Sequence, residues 1–374
     1  MNYQTVATGA CERLEEAVSQ FCVEGEPSEC SRYGNGHINA TYAMIWEQNG
    51  VERRYILQRV NTDIFKDPVS LMKNIEGVTE FLREEIIKHD GDPDRETLTL
   101  IPAKDGKKYY QDSLGNYWRV YKFIENATCY NLVEKPEDFY QSGKAFGHFQ
   151  RLLAQYPAEE LSETIPNFHN TPVRFETFKK AVEEDVCGRA ASVKEEIQFV
   201  LDRENELGVA MEMQKEGRLP LRVTHNDTKL NNIMIDDATG QALCIIDLDT
   251  IMPGFSIFDY GDSIRFGANT AEEDEPDVSK VSLSLPLFEI YTKGFLEGCE
   301  GRLTEEEINM LPMGAKLMTM ECGIRFLTDY LQGDVYFRTS RENHNLDRTR
   351  TQFGLVADME KKWQEMKAIV EKYK

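Results

Sequence analysis

Apolar and polar positions in the first 126 residues of the chain predict a small region of mixed α and β structure. Residues 7–23 carry apolar side chains on one helical stripe, which predicts an amphipathic helix. Residues 68–88 predict a second helix, because Pro68 suits a first-turn position. Apolar runs separated by turn-forming residues predict antiparallel strands at residues 33–44, 54–60, 97–101, 107–110 and 117–124.

From Glu137 onward the helical period dominates the pattern. Candidate helices cover residues 137–154, 173–186, 191–208, 282–298, 303–331 and 355–373, and another helix begins near Phe258. We therefore predict an α+β protein with two lobes. Residues 1–126 would form an antiparallel-sheet lobe that binds nucleotide. Residues 127–374 would form a mainly helical catalytic and substrate-binding lobe.

Composition narrows the classes of protein to which the chain can belong. Its 374 residues carry 43 basic and 65 acidic side chains, for a formal net charge of −22. This charge argues against nucleic acid or an anionic membrane as a partner. No apolar run has the length of a membrane span, and the N-terminus lacks the layout of a signal peptide. The eight cysteines form no Cys-x-x-Cys pair, which predicts reduced thiols and a cytoplasmic location.

A polar loop between two apolar runs carries the candidate chemistry. It contains His225, Asp227 and Asn232 in the pattern His-x-Asp-x-x-x-x-Asn, and a turn then leads into a strand that ends at Asp247. A hairpin of this kind would bring the two aspartates and the asparagine to one end of a sheet. Phosphoryl transfer requires an acidic group at the attacking hydroxyl and oxygen ligands for Mg²⁺. The combination predicts a kinase-like site, and a structural polar loop is the alternative.

A glycine-rich segment in the first lobe is a candidate phosphate loop. Gly34 and Gly36 flank Asn35, and His37 and Asn39 follow. Backbone amides beside glycine can approach phosphate oxygens without interference from a Cβ atom. An ordinary tight hairpin is the alternative interpretation.

Two further positions complete the predicted nucleotide site. Gln58 occupies the strand position at which kinase-like lobes usually present a basic residue to the phosphates, and Arg59 lies beside it. Glu125 follows the last predicted strand of the first lobe, where we place the hinge. An adenine ring would lie against the backbone there.

Polar residues among the later helices are candidates for substrate binding or for structural support. Arg325 lies on an otherwise apolar helical stripe, and Tyr336 follows it. A buried arginine needs a partner, which could be a structural carboxylate or the substrate. Asp259 could support the backbone of the catalytic loop, and a helix N-cap is its alternative role.

Several stretches together resemble one known family over nearly the whole chain. They are Tyr33-Gly34-x-Gly36-His37-Ile38-Asn39-x-Thr41-Tyr42, Arg54-Tyr55-Ile56-Leu57-Gln58, Trp118-Arg119-Val120-Tyr121-Lys122-Phe123-Ile124-Glu125, Arg222-Val223-Thr224-His225-Asn226-Asp227, Ile245-Ile246-Asp247-Leu248-Asp249 and Thr319-Met320-Glu321-Cys322-Gly323. They are similar to motifs of the aminoglycoside phosphotransferase/choline kinase superfamily, and within it to the bacterial N-acetylhexosamine 1-kinases. The resemblance implies a protein-kinase-like bilobal fold.

The resemblance also implies phosphorylation of the anomeric hydroxyl of N-acetylglucosamine or N-acetylgalactosamine, with ATP and Mg²⁺. Asp227 would accept the hydroxyl proton, and Asn232 and Asp247 would hold Mg²⁺. His225 and Asp259 would be structural. The implied nucleotide contacts are Gly34, Gly36, His37, Asn39, Gln58 and Glu125, and the implied sugar contacts are Asn35, Asn226, Arg325 and Tyr336.

Two positions bear on how closely the chain follows this family. Gln58 at the usual lysine position is shared with the family, so it does not indicate an inactive kinase. Asn35 departs from the expected aspartate, so the affinity for sugar or the preference between sugars can differ. The expected partner is a small sugar, without nucleic acid or membrane, and the sequence does not indicate an oligomeric state.

Other acceptors of the same superfamily remain as alternatives, namely choline, an amino alcohol or a different sugar. Choline would favour a cage of aromatic and acidic residues. A hexosamine needs partners for hydroxyl and amide groups, which Arg325 and Tyr336 could supply. A nucleotide-binding module without catalytic activity is a further alternative.

Overall fold

The structure is a computed structural model that describes residues 2–3, 13–34, 38–130 and 135–374. Asn35, Gly36 and His37, predicted to contact sugar or nucleotide, lie outside the described residues. The chain forms two compact units. The first unit contains Met1–Thr128, Ser162–Ile165 and Ile235–Asp249, and the second contains Cys129–Leu161, Pro166–Met234 and Thr250–Lys374.

Twelve strands are present in the described residues. They are β1 (Asn2–Tyr3), β2 (Glu26–Arg32), β3 (Ala40–Gln48), β4 (Val51–Arg59), β5 (Leu100–Ile101), β6 (Tyr110–Gln111), β7 (Tyr117–Lys122), β8 (Ala127–Cys129), β9 (Arg222–Thr224), β10 (Ile233–Asp236), β11 (Ala242–Ile245) and β12 (Met252–Gly254). The largest sheet has the order β1-β2-β3-β4-β7-β5, with β6 also paired to β7. Smaller sheets have the orders β11-β10-β8 and β12-β9.

The large sheet of the first unit is antiparallel except for the pair of β1 and β2. Strand β3 alternates between buried and partly exposed side chains, which gives the sheet one apolar face. Asn49 and Gly50 join β3 to β4, and both have positive φ, at 54° and 77°. Such a pair favours a tight hairpin turn. Trp118 and Leu57 are fully buried at the centre of this core.

Fourteen α-helices are present in the described residues. They are α1 (Leu14–Val18), α2 (Pro68–Lys88), α3 (Pro93–Glu96), α4 (Pro136–Leu152), α5 (Thr171–Glu184), α6 (Lys194–Leu201), α7 (Glu204–Leu207), α8 (Val209–Lys215), α9 (Ser256–Gly267), α10 (Leu285–Cys299), α11 (Glu305–Asn309), α12 (Leu311–Gln332), α13 (His344–Lys361) and α14 (Trp363–Tyr373). The antiparallel sheet and the helical C-terminal part confirm the predicted kinase-like fold class.

The second unit is built around helices α5, α12 and α13. Phe175, Phe178, Leu327 and Val356 form part of its buried apolar cluster. Helix α12 also contacts α9 closely, because Gly261 faces the backbone of Gly314 and leaves no room for a Cβ atom. Helix α9 carries polar residues next to the catalytic loop, so this packing determines where they lie.

Several predicted helices differ from the observed ones. The described part of residues 7–23 is helical only over Leu14–Val18. The stretch predicted as residues 191–208 divides into two helices, and the stretch 303–331 divides where Pro312 lies in the first turn of α12. Helix α13 begins at His344 instead of residue 355. None of the helices in the described ranges has the length and apolar character that crossing a bilayer requires.

Candidate active site

The predicted catalytic loop begins where β9 ends, in the second unit. Its backbone is held by Asp259 in the first turn of α9. The amide of His225 donates to Oδ2 of Asp259 at 2.9 Å, and the amide of Asn226 donates to Oδ1 at 2.8 Å. Gln150 donates to the same carboxylate at 3.0 Å. Asp259 therefore supports two consecutive amides of the loop, directly before Asp227.

Asp259 is fully buried, and burial raises the pKa of its carboxyl group above the ordinary value. The His225 ring and the donated hydrogen bonds oppose this shift. A buried carboxylate is tolerated only when its oxygens are hydrogen bonded, and three donors satisfy that condition here. The contacts of this carboxylate with the loop and with Gln150 are therefore structural.

Asp227 is held by neighbours from its own loop. Nζ of Lys229 lies 2.7 Å from Oδ1 of Asp227. The side-chain amide of Asn232 donates to Oδ2 of Asp227 at 3.2 Å and to its backbone carbonyl at 2.8 Å. Burial lowers the pKa of Lys229, but the charge of Asp227, the hydrogen bond it accepts from Lys229 and the charge of Asp262 together raise it above the ordinary value. Residues of the same loop therefore orient the Asp227 carboxylate and partly neutralise its charge.

The amide nitrogen of Asn232 is directed at Asp227. Its Oδ1 atom is therefore the one that a metal ion would bind. The Asn226 side chain is buried, and its amide nitrogen donates to the carbonyls of Thr224 and Thr250 at 3.2 and 2.8 Å. Asn226 has φ of 65°, which the turn of the loop requires. The observed contacts of Asn226 hold the loop together, and its contact with substrate stays a prediction.

His225 lies inside the second unit with its ring edge-on to two phenylalanines. The ring centroids are 5.6 Å from Phe146 and 6.3 Å from Phe149. The backbone carbonyl of His225 accepts from the Thr250 hydroxyl at 2.6 Å. The His225 side chain is fully buried, so these contacts anchor the loop.

A second buried carboxylate of α9, Asp262, holds the loop after Asp227. It accepts from the amide of Thr228 at 3.1 Å and pairs with Arg265 at 2.8 Å. Burial would raise the pKa of Asp262, but Arg265, Lys229 and the His169 ring lower it below the ordinary value. Asp262 thus remains ionised, and three basic groups lie close to it.

In the first unit, Gln58 is part of a polar row across three strands. It pairs in register with Thr41 of β3 and with Arg119 of β7. Its amide nitrogen donates to the Thr41 hydroxyl at 3.1 Å, and its carbonyl accepts from Nε and Nη2 of Arg119 at 3.0 and 2.8 Å. Both ends of the Gln58 amide are therefore occupied, and the cation of this row is Arg119.

Arg119 forms a buried ion pair with Asp249, also in the first unit. Nη1 lies 2.5 Å from Oδ1 of Asp249, and the two side chains are only 1% and 4% exposed. Burial alone would lower the pKa of Arg119, but the charges of Asp249 and Asp247 raise it above the ordinary value. Asn39 donates to Oδ2 of Asp249 at 2.5 Å and accepts from the amide of Asn61 at 2.9 Å. The side chain of Asn39 thus fastens the end of the glycine-rich segment to Asp249.

Asp247 lies two residues beyond the end of β11, whereas the sequence predicted that the strand ends at Asp247 itself. It is exposed and has φ of 60°, a left-handed conformation that aspartate tolerates better than most residues. Its charge acts on Arg119 and on Tyr121, whose pKa burial raises above the ordinary value.

The two other predicted nucleotide positions lie in the same unit. Gly34 is exposed with φ of 71°, and, its chain neighbours apart, no atom of the described residues lies within 4 Å of the place a Cβ would occupy. The carboxylate of Glu125 pairs with Arg54, whose Nε donates to it at 2.9 Å, and its backbone carbonyl accepts from Arg95 at 3.1 Å. The Glu125 side chain is therefore occupied by Arg54, and the predicted contact of its backbone with adenine stays a prediction.

Arg325 lies in an aromatic cluster in the second unit. Its guanidinium carbon is 5.5 Å from the Phe168 ring, 5.9 Å from Tyr336 and 5.4 Å from Phe337. Such distances are favourable for cation–π attraction. Asp329, the acid one turn along the helix, instead accepts from the amides of residues 335–337 and from Asn345. Tyr336 is largely exposed, at 68%.

A second arginine, Arg174, shares this region and was not singled out by the sequence pattern. Burial lowers its pKa, and the charge of Arg325 lowers it further. One terminal nitrogen donates to the carbonyl of Phe168 at 3.2 Å, while Nε is buried without a hydrogen-bond partner. Within the described ranges, neither Arg174 nor Arg325 forms an ion pair with a carboxylate. The region therefore presents two guanidinium groups that carboxylates do not neutralise directly.

Three contributors to these sites could be found only in part from the sequence. Lys229 follows Asp227 by two positions, so it was visible in the loop but had no assigned role. Arg119 and Asp249 lie in the recognised motifs but are distant in the chain, and no spacing rule indicates that they pair. The cross-strand register of Gln58 and Arg119 supplies the missing information.

Solved structures with the same fold include enzymes of several substrate classes. An aminoglycoside phosphotransferase from Alicyclobacillus acidocaldarius aligns over 98% of this chain and 97% of its own, with a TM-score of 0.61 and 12% identity. A spectinomycin phosphotransferase in complex with ADP and spectinomycin aligns over 91% of this chain and 94% of its own, with a TM-score of 0.54 and 13% identity. A choline kinase from Cryptosporidium parvum aligns over 91% of both chains, with a TM-score of 0.53 and 13% identity.

Membership of a family rests on the sequence itself. The model of the phosphotransferase enzyme family, APH, matches residues 29–281. This range includes the catalytic loop, the residues around Asp259 and parts of both units. The protein therefore belongs to the phosphotransferase enzyme family and is a small-molecule phosphotransferase.

Proposed function

We propose that the protein transfers the γ-phosphate of ATP to the anomeric hydroxyl of an N-acetylhexosamine, giving the sugar 1-phosphate. Family membership supports phosphoryl transfer to a small molecule. The resemblance of motifs along the chain supports N-acetylglucosamine or N-acetylgalactosamine as acceptor. The observation that carries the choice of acceptor class is the pair of arginines in the second unit.

Arg174 and Arg325 favour a neutral acceptor rich in hydroxyl and carbonyl groups. Two guanidinium groups with no direct carboxylate partner among the described residues offer several hydrogen-bond donors. They also create a positive potential, and burial strengthens it. Choline, ethanolamine and aminoglycosides carry positive charge, so this potential opposes their binding. Sugar oxygens instead accept from such donors.

The acidic residues at positions 272–277 do not reverse this preference for a neutral acceptor. Glu273 pairs with Arg265 at 2.7 Å, Asp274 pairs with Arg341 at 2.9 Å, and Glu275 pairs with Lys280 at 3.1 Å. A cationic acceptor would need acids that are not already engaged in such pairs. The acidic run at residues 272–277 is therefore better explained as a set of ion pairs than as a binding site for an amine.

Asp227 is the proposed base. Its carboxylate would orient the O1 hydroxyl and accept its proton as the phosphoryl group is transferred. Lys229 and Asn232 hold the two carboxylate oxygens, so that the side chain is oriented before substrate arrives. A hemiacetal hydroxyl is somewhat more acidic than an ordinary alcohol, and most of the rate would come from positioning.

We propose a magnesium ion on the nucleotide phosphates, as the resemblance implies. Asp247 carries an exposed carboxylate, and Asn232 carries an amide oxygen that Asp227 does not engage; each is a kind of ligand that Mg²⁺ accepts. The described ranges contain no group of three or more histidines, cysteines or acids arranged to hold a metal. Few protein ligands suit Mg²⁺, which keeps waters and phosphate oxygens in its shell. The ion would supply neutralisation of phosphate charge.

For the nucleotide, we propose ATP bound by the first unit. The spectinomycin phosphotransferase of the same fold holds ADP, which supports an adenine nucleotide here. Gly34, with the rest of its segment, would cover the phosphates through backbone amides. The side chains of Asn39 and Gln58 are occupied within the protein, so contacts from these residues to ATP would come from their backbone.

A panel of acceptors tests the proposal. Release of ADP would be measured with N-acetylglucosamine, N-acetylgalactosamine, glucose, choline, ethanolamine and kanamycin, and phosphorus NMR would locate the phosphate on the product. We expect the N-acetylhexosamines to give the highest kcat/KM and an anomeric phosphate. Preference for choline, ethanolamine or kanamycin would exclude the proposed acceptor. The Asp227→Asn variant, prepared identically, controls for contaminating kinases.

Neutralising Arg325 tests the observation that supports the sugar. Losing one charged donor in a buried site costs about 1.5–3 kcal/mol, so Arg325→Met should raise the sugar KM roughly ten- to a hundredfold. The KM for ATP should stay near that of the wild type. Arg338→Met, which changes an exposed arginine of the same unit, is the matched control. A lowered melting temperature with both KM values unchanged would instead assign Arg325 a structural role.

A further inference from the structure

His169 has a ring nitrogen that no observed contact explains. It lies in the segment before α5, in the second unit, and its side chain is only 10% exposed. Nδ1 lies 2.8 Å from Oε1 of Glu321, whereas Nε2 is buried and has no hydrogen-bond partner among the residues that the structure describes. Buried polar atoms in native proteins nearly always have a partner. The partner of Nε2 is therefore expected from outside the described chain.

Glu321 determines which nitrogen of this ring carries the proton. The carboxylate is 1% exposed, and it also accepts from the Thr171 hydroxyl at 2.7 Å. Burial would raise the pKa of Glu321, but His169, Thr171 and Arg325 lower it below the ordinary value, so the group is ionised. Because an ionised carboxylate only accepts hydrogen bonds, Nδ1 must donate. In the neutral ring, Nε2 then carries the lone pair and accepts.

The ring lies close to the catalytic loop and to the arginine pair. Its centroid is 5.7 Å from the ring of Phe258 in α9, the helix whose Asp262 holds the amide of Thr228 next to Asp227. Its centroid is 4.5 Å from the Phe168 ring, over which Arg325 lies. The unpaired nitrogen Nε2 therefore lies in the part of the second unit where we expect the substrate to bind.

A donor without a partner accompanies this acceptor. Nε of Arg174 is buried and unpaired, and another nitrogen of the same guanidinium donates to the carbonyl of Phe168, the neighbour of His169. One unpaired acceptor and one unpaired donor match a ligand group that offers both an N–H and a carbonyl oxygen. A secondary amide is such a group. A hydroxyl also donates and accepts, but both through a single oxygen atom.

We propose that His169 and Arg174 recognise the acetamido group of the acceptor sugar. Nε2 of His169 accepts the amide N–H, Nε of Arg174 donates to the acetyl oxygen, and Glu321 positions the His169 ring. This assignment rests on the proposed function and extends it, because it names the residues that distinguish an N-acetylhexosamine from a plain hexose. It also assigns a ligand to two buried polar atoms that would otherwise lack one.

The test combines variants with sugars that differ at one carbon. N-acetylglucosamine, glucose and 2-deoxyglucose present an amide, a hydroxyl and hydrogen at the same position. His169→Phe keeps a ring among Phe168 and Phe258 but removes the acceptor. Arg174→Met keeps the apolar stem but removes the donor. Thr171→Val is the matched control, because it removes the other partner of Glu321 without changing the His169 ring.

We expect each of the two variants to lower kcat/KM for N-acetylglucosamine roughly three- to tenfold, mainly through the sugar KM. Their loss of kcat/KM for 2-deoxyglucose should be clearly smaller, and their KM for ATP should stay near wild type. Thr171→Val should keep the wild-type ratio of kcat/KM for N-acetylglucosamine to kcat/KM for 2-deoxyglucose. His169→Gln, which restores an acceptor oxygen, should recover part of the preference. A smaller rise in melting temperature on adding N-acetylglucosamine without ATP should accompany the loss.

The outcomes separate this inference from the proposed function. If the wild type phosphorylated none of these sugars, the proposed function and the acetamido assignment would both be rejected. If the wild type phosphorylated N-acetylglucosamine but both variants kept its full preference over 2-deoxyglucose, only the assignment of His169 and Arg174 would be rejected. An equal loss for all three sugars would also reject it, since a general disturbance of the site would explain that result.

Discussion

Asp227 receives its orientation from residues within five positions of it in the chain. Lys229 and Asn232 each hold one carboxylate oxygen, while Asp259 holds the two amides that precede Asp227. This division separates the reacting group from the buried group that supports it. A change at Asp259 would therefore move the loop, whereas a change at Asp227 alters the chemistry without changing the support.

The first prediction concerns Asp227→Asn. The amide cannot accept the hydroxyl proton, and the loop contacts through Asp259 remain, so kcat should fall by about a hundred- to ten-thousandfold. The affinity for ATP should stay near wild type in a binding titration. The test is a coupled ADP-release assay with the melting temperature measured in parallel. Near wild-type kcat would exclude Asp227 as the base.

The second prediction concerns the buried pair of Arg119 and Asp249. Removing one partner leaves an uncompensated buried charge, so Arg119→Met should lower the free energy of unfolding by about 3–5 kcal/mol. The double variant Arg119→Met/Asp249→Asn should recover part of that loss, because the stranded charge is gone. Chemical denaturation of the single and double variants gives the coupling energy.

Arg54→Met is the matched control for this pair. Arg54 pairs with Glu125 in the same unit, but the two side chains are 43% and 50% exposed. Surface pairs contribute about 0–1 kcal/mol. Equal losses in the Arg119 and Arg54 variants would contradict the view that burial determines the strength of the Arg119–Asp249 pair.

At the scale of elements, α4 and α10 of the second unit approach each other through glycines. A Cβ atom at Gly143 or Gly147 would meet the backbone of α10, and one at Gly294 or Gly298 would meet the backbone of α4. The two helices can contact along their backbones only while all four positions lack a side chain. Because α4 also carries Gln150, which binds Asp259, the spacing of these helices bears on the catalytic loop.

The third prediction is therefore that Gly298→Ala destabilises the protein. The added Cβ would collide with the carbonyl oxygen of Lys144, which is backbone and cannot rotate away. Overpacking of this kind costs about 1–3 kcal/mol, or more when the backbone must move. This cost outweighs the gain of up to about 1 kcal/mol that alanine brings to a helix. Gly208→Ala, with its nearest neighbour at 3.7 Å, is the control and should be close to neutral.

Some elements could be predicted from the sequence because their signals are local. Helix α2 begins at Pro68, as predicted, because Pro68 and the capping residue Asp67 are adjacent in the chain. The breaks between α6 and α7 and between α11 and α12 were missed, since the apolar period continues through them. Helix α13 begins at His344, in a stretch where polar residues such as Asn345 and Thr349 are buried. Tertiary contacts determine those boundaries.

At the scale of the whole molecule, the chain returns to the first unit twice after leaving it. Residues 162–165 and 235–249 belong to that unit, although they follow Thr128 in the chain. The motif pattern indicated Asp227, Asn232 and Asp247 because their spacing is short. It could not indicate that Asp249 pairs with Arg119, or that Glu321 holds His169, since those pairs join distant segments.

Charge is also distributed in a way that composition cannot indicate. The net charge of −22 describes the chain as a whole, yet Arg174 and Arg325 form a local positive region. A sugar without net charge is affected little by the overall field, whereas the local donors act at hydrogen-bond distance. This arrangement makes the acidic composition of the protein compatible with the neutral, oxygen-rich acceptor that we propose.

The last prediction concerns stability in acid. Many carboxyl groups, including Asp94, Asp274, Glu307 and Asp358, have a pKa below the ordinary value because basic groups or hydrogen bonds favour their charged form. Below about pH 4 the unfolded chain takes up protons that the folded chain does not. Stability from these groups is therefore present above that pH and is lost as the pH falls. Asp259, with its raised pKa, acts in the opposite direction but is a single group.

Asp236→Asn tests this account at one site. A hydrogen bond from Arg95, together with those from Thr239, lowers the pKa of Asp236 to about 2. The variant should melt below the wild type at neutral pH, and the difference should close as the pH falls from about 4 to about 2. Asp237→Asn, at the next residue, is the control, and calorimetry over this pH range is the measurement. A difference that stays constant with pH would show that the charge of Asp236 contributes nothing to the acid sensitivity.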